Sequence, residues 1–267
     1  METVITENNF FNSKLPFIIS LVSGKGGVGK SVISANLANK LANDGFKVLL
    51  WDGDFHFPNL HIIFGVDPPV RAKDVYYSKI DISKVFYKIS ANLHLIADYA
   101  AENTDEEFEV NVLIDIFKYL LIETDYDFIL IDTSAGLNEM MLNFINFSNS
   151  VALIINDEPT TLLDGYALTK ILLNFVQNEK IKILVNNVID AEDFQEIISK
   201  FNLVTEKFLK LNFESLGFIP YNRIVRKSLL NQELFSNNNN VEISNKLQQI
   251  VDYYIALSKN VVNNIIV

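Results

Sequence analysis

Short uninterrupted apolar runs recur along this chain, and amphipathic stretches of helical length separate them. Runs such as FILI and VALII are apolar at successive positions, which is the pattern of strands covered on both faces. The candidate strands are residues 17–23, 47–52, 93–97, 128–132, 151–156 and 181–186, with a shorter one at 215–219. Helical periodicity fits residues 30–43, 106–123, 138–147, 161–178, 192–211 and a last segment over 241–257. Strand and helix alternate, so the pattern predicts an α/β fold, a single doubly wound domain whose mostly parallel sheet has about seven strands flanked by helices. Asp44-Gly45 supplies a helix stop and turn before the second strand. No linker rich in Pro, Gly or Ser and no internal repeat divides the chain. The reading is therefore an extension over residues 1–16, one domain over 17–260 and an apolar tail over 261–267, with the asparagine run 237–240 as an exposed connection.

Composition narrows the chemistry. With 267 residues, 49% of them hydrophobic, the chain can bury a substantial core. It has no cysteine, which excludes a disulfide scaffold, a thiolate zinc site, a cysteine-ligated iron–sulfur cluster and a cysteine nucleophile. Acidic residues outnumber basic ones 33 to 22, giving a formal net charge of −11. That balance argues against non-specific nucleic-acid binding unless a local basic patch overrides it, because affinity for phosphate backbones comes largely from Lys and Arg displacing counterions, and specific DNA binding is not expected. The N-terminus lacks a basic region leading into an apolar run, and no apolar stretch approaches the roughly 20 residues of a spanning helix. The expected location is cytoplasmic, with a weak peripheral membrane contact as the most the tail supports. His56, His61 and His94 have no metal-ligand spacing and are read as ordinary core or surface residues.

The sharpest signal is GKGGVGKS, Gly24 to Ser31, placed directly after an apolar strand and directly before a helical pattern. Gly26, Gly27 and Gly29 free the backbone to turn successive N–H groups inward at a helix N-terminus, forming a cradle for phosphate. Lys30 is placed to reach the β- and γ-phosphates, and the Ser31 hydroxyl to ligate Mg²⁺. Three acids fall at strand ends, where an open α/β sheet binds its ligand: Asp52 and Asp54 in WDGD, and Asp132 in FILID. Asp52 and Asp132 can each also be a helix N-cap or turn residue. An acid can hold Mg²⁺ through a retained water.

The second lysine of KGGVGKS, Lys25, resembles the signature lysine of the deviant Walker A motif in MinD/ParA-type ATPases. The resemblance implies a P-loop NTPase fold, ATP and Mg²⁺ as cofactors, and an ATP-dependent homodimer in which Lys25 reaches the partner's nucleotide. DFILIDTSAG resembles the family's Walker B and switch II segment, which places Asp132 near Mg²⁺ and lets Gly136 respond to the γ-phosphate. WDGDFHFPNLHIIFG resembles switch I, implying that Asp54 orients the attacking water and Asp52 supports the metal. Catalysis is thereby assigned to Lys25, Lys30 and Asp54, and the metal to Ser31, Asp52 and Asp132.

Later segments are similar to the FlhG branch, MinD-like regulators of flagellar number and placement. These are INDEPTTLLDGYALTKIL from Ile155, KILVNNV, and LGFIPYNRIVRKSLLNQELF from Leu216. By that likeness Asn186 stands where the family contacts adenine, though it also suits a strand-end backbone contact, and Pro220 lies in the loop beside the base. The implied cofactor-binding set is Gly24, Lys25, Gly26, Gly27, Val28, Gly29, Lys30, Ser31, Val32, Asn186 and Pro220. The chain departs from the branch in two places. METVITENNFFNSKL carries no glutamine-arginine activation motif, and LSKNVVNNIIV is apolar but nearly uncharged, whereas a membrane-targeting helix of the family combines an apolar face with basic residues. The leading function is an ATP-dependent dimerisation switch that hydrolyses slowly, recruits a protein partner and controls the placement or number of a cellular structure. A ParA-like DNA-associated ATPase and a non-hydrolysing ATP-bound adaptor are the alternatives.

Overall fold

The computed structural model describes residues 15–99, 106–238 and 241–265. Most of the N-terminal extension, Ile266 and Val267 of the tail, and the end of the asparagine run lie outside the described residues.

Among the described residues eight strands form one sheet: β1 (Phe17–Val22), β2 (Val48–Gly53), β3 (Tyr87–Lys88), β4 (Leu93–Ile96), β5 (Phe128–Thr133), β6 (Ser150–Ile155), β7 (Ile181–Val188) and β8 (Glu214–Pro220). Their order is β3-β4-β2-β5-β1-β6-β7-β8. All pairings are parallel except β3 with β4. The edge strand β3 was not among the expected seven. It is two residues long, Tyr87 half-buried and Lys88 exposed, too short to show a period in sequence.

The helices are α1 (Lys30–Asn43), α2 (Leu60–Phe64), α3 (Ala72–Tyr77), α4 (Glu106–Glu123), α5 (Glu139–Phe147), α6 (Pro159–Leu172), α7 (Ala191–Leu209), α8 (Arg223–Leu230) and α9 (Val241–Ile265). Helix α6 starts at Pro159, ahead of the expected residue 161, because proline's fixed φ suits the first helical position. Helix α7 starts where Asp190 accepts from the Glu192 and Asp193 amides at 2.9 Å, and ends at Lys210 in a left-handed conformation. Helices α2, α3 and α8 span five, six and eight residues, too few turns for a clear helical stripe. Helix α9 continues past the expected residue 257 to Ile265, so residues 261–265 prolong it.

Strand residues alternate between two covered faces. Phe17, Ile19 and Leu21 join Leu37, Leu41 and Tyr254 under α1 and α9. On the other face Ile129 and Trp51 pack with Phe117 and Phe144 of α4 and α5, while Leu153 and Ile155 pack with Leu168 and Phe201 of α6 and α7. Burial on both faces accounts for the continuous apolar runs. The three central strands β2, β5 and β1 end together, bringing residues 23–30, 52–54 and 132–136 to one rim of the sheet.

Candidate nucleotide site

The loop between β1 and α1 is shaped by glycine at two demanding positions. Gly29 precedes α1 with φ 93°, a conformation that favours glycine, and a Cβ there would sit 2.3 Å from Asn186 Nδ2. At Gly24 a Cβ would lie 2.6 Å from the Asp164 backbone carbon in α6, so only glycine lets that helix cross the loop. Val28 is buried, Gly26 and Gly27 are exposed, and Ser31 and Val32 are half-buried in the first turn of α1. The first N–H groups of a helix have no partner within it, which makes the start of α1 a ready place for an anion.

Lys30, the first residue of α1, is buried and its Nζ lies 2.8 Å from Asp132 Oδ1. Ser34, one turn further on the same helix face, brings its hydroxyl to 2.8 Å from the same oxygen. Asp132 Oδ2 is buried and has no hydrogen-bond partner among the described residues. An unpartnered carboxylate oxygen beside the Ser31 turn is a hard donor of the type Mg²⁺ prefers, directly or through water. The residues therefore fit the metal that the loop implies.

Asp52 lies opposite Asp132 in the register of β2 and β5, but its oxygens are engaged. Oδ2 accepts from the Asn59 and Leu60 amides, both at 2.9 Å, and Oδ1 from the Asp54 amide at 3.3 Å. The side chain thus caps the start of α2. Full burial, with the neighbouring Asp132 charge adding to it, pushes the Asp52 carboxyl up to about 8 against the three amides. Asp54 is half-buried in the following loop, and its Oδ1 accepts from the His56 and Phe57 amides at 3.3 and 3.0 Å.

Lys25 does not join its own loop's charges. Its Nζ pairs with Glu158 and lies 3.0 Å from Thr160 Oγ1 at the start of α6. The hydrogen bond and charge of Lys25 hold the exposed Glu158 carboxyl below its usual range. Asn186 sits at the end of β7 and donates to the Val28 carbonyl at 2.7 Å, bracing the loop, and Pro220 is buried at the end of β8.

Four contributors, Glu158, Thr160, Asp164 and Ser34, stand outside the site residues expected from the sequence. Glu158 and Thr160 stand inside the recognised EPT segment but were assigned no contact, and the backbone of Asp164 covers Gly24. Ser34 carried a usable signal, its four-residue spacing from Lys30.

A glycine loop at the end of a central parallel strand, opening a helix whose first residue is a buried lysine on a strand-end aspartate, defines a P-loop nucleotide-binding protein. A family described as an AAA domain matches residues 17–190. The antiactivator FleN of Pseudomonas aeruginosa is 30% identical over 220 residues, covering 80% of this chain and 77% of that protein. The flagellum site-determining protein YlxH of Helicobacter pylori is 29% identical, covering 82% and 75%. Among solved structures, the septum site-determining protein MinD complexed with Mg-ADP from Pyrococcus horikoshii superposes with a TM-score of 0.71 at 24% identity, covering 90% and 96%. The chain belongs to the MinD/ParA-type P-loop ATPases and stands with the FlhG-like members of that family. That MinD structure holds Mg-ADP, the type of ligand that the loop and the Asp132 oxygen described above suit.

Proposed function

We propose that this protein is an ATP-dependent dimerisation switch that hydrolyses ATP slowly and controls the placement or number of a cellular structure, in the manner of FlhG. The observation that carries the reading is the division of the two loop lysines. Lys30 lies inside, on Asp132, while Lys25 lies outside on Glu158 and Thr160, free of its own loop and one third exposed. An exposed ion pair of this kind is held weakly, so Lys25 can leave α6 for the phosphates of a second subunit.

In this reading the loop amides and Lys30 bind the phosphates, Ser31 and Asp132 hold Mg²⁺ with Asp52 behind them, and Asn186 and Pro220 border the base. Mg²⁺, when bound, neutralises charge on the phosphate oxygens. Asp54 places the attacking water in line, and the partner's Lys25 meets charge developing in the transition state. Binding of a protein partner follows from the dimer, and the likeness to YlxH, a flagellum site-determining protein, supports the flagellum as the setting.

Asp54→Ala tests the switch. Removing the water-orienting carboxylate leaves ground-state binding intact, and a loss of about 100-fold in hydrolysis corresponds to about 2.7 kcal/mol. Light scattering with stoichiometric Mg·ATP is expected to find a persistent Asp54→Ala dimer where the wild type decays to monomer. A variant that hydrolyses at the wild-type rate, or stays monomeric while saturated with ATP, would overturn the assignment.

A further inference from the structure

Lys73 in α3 has no solvent exposure, and nothing in the nucleotide chemistry above uses it. Its ammonium donates to the Phe55 carbonyl at 3.0 Å and the Tyr99 carbonyl at 3.3 Å, and lies 3.9 Å from the buried Asp98 carboxylate. The Phe55 and Tyr99 rings flank it at 5.4 and 5.8 Å. A lysine is seldom fully buried unless it is paired, and replacing such a pair with apolar side chains is often neutral or stabilising. Stability alone therefore does not account for a cation at this place.

Its main contact does. Phe55 directly follows Asp54, and its ring is buried and stacked 6.2 Å from Phe144 of α5, at an interplanar angle of 6°. The Phe55 side chain is thus tied to the helix after the Asp132 strand, and its carbonyl is tied to Lys73. These two ties bracket the turn in which Asp54 Oδ1 accepts from the His56 and Phe57 amides. We infer that Lys73 is a positioning residue for hydrolysis: through the Phe55 carbonyl it orders the 54–57 turn and sets where the Asp54 carboxylate points. Asp98 holds the charge that keeps the ammonium in place. This inference rests on the water-orienting role proposed for Asp54.

The test uses the full-length chain with Lys73→Met and Asp98→Asn combined, which removes both charges together. The double variant is expected to bind Mg·ATP within about twofold of wild type while kcat falls about tenfold. In an Asp54→Ala background the same pair of changes is expected to leave the residual rate unaltered, since effects passing through one group are not additive. Hydrogen exchange is the arm that does not need turnover: the His56 and Phe57 amides should exchange at least about tenfold faster, with β1 amides unchanged. A further tenfold loss in the Asp54→Ala background, unchanged exchange at 56 and 57, or a double variant without a cooperative melt would overturn the positioning role. Wild-type protein that binds Mg·ATP without turning it over would refute the hydrolytic function instead, and the exchange arm would still decide whether Lys73 orders the turn.

Discussion

Asp52 is expected to make the nucleotide-free protein lose stability as pH rises. In the unfolded chain its carboxyl has the ordinary value of 3.8, whereas burial and the charge of Asp132 push it to about 8 in the fold. Between those values the folded state holds a proton that the unfolded state has released. The contribution is therefore fully present below about pH 4 and disappears as pH climbs through about 8. One group supplies a slope of at most about 1.4 kcal/mol per pH unit, and the whole window sets a ceiling on the order of 6 kcal/mol. His61 and His94 act oppositely, since burial is the main cause holding both below the usual histidine value. Their contributions grow as pH rises through the histidine range, so the net wild-type slope understates Asp52. Asp52→Asn isolates it: the amide oxygen still accepts from Asn59 and Leu60, and no proton titrates. Urea unfolding in EDTA without nucleotide, at half-unit steps from pH 5.5 to 7.5, should show wild-type stability falling relative to Asp52→Asn by about 1 kcal/mol per unit. Parallel curves for the two proteins, or a difference of opposite sign, would refute the reasoning.

Lys30→Ala leaves the buried Asp132 unpaired, so it should cost about 3 kcal/mol of stability and abolish ATP binding. Lys25→Ala breaks only an exposed contact, should cost under about 1 kcal/mol, and should bind nucleotide while failing to dimerise; chemical denaturation and ATP titration of both variants check the contrast. Gly24→Ala drives a methyl into the backbone of α6, and a loss of about 1–3 kcal/mol with weakened ATP binding is expected from thermal melts and titration. For the C-terminus, Val261, Val262 and Ile265 continue α9 with Lys259 as the one basic residue between 257 and 267. Liposome co-sedimentation with ATP should be the same for the full chain and one ending at Ser258; a drop on truncation would make the tail a membrane contact.

Most of the sheet and the phosphate loop were legible in sequence because their causes are local. Strands covered on both faces must be apolar at consecutive positions, and Gly24 to Ser31 carry their conformational freedom, charge and helix start within eight consecutive residues. Strand-end acids could be singled out for the same reason, since Asp52 and Asp132 directly follow apolar runs. Their partners could not. Whether Asp52 is free or capping α2 depends on where Asn59 and Leu60 return. The resting partner of Lys25, Glu158, stands 133 residues away, directly before α6. Lys73 and Asp98 are ordinary charged residues in the sequence, and meet only because α3 and the end of β4 fold against the Asp54 turn. Local spacing thus determined which residues can do chemistry at all. Strand order and helix packing decided which of them are engaged, because contacts between distant segments depend on three-dimensional register that no short pattern encodes.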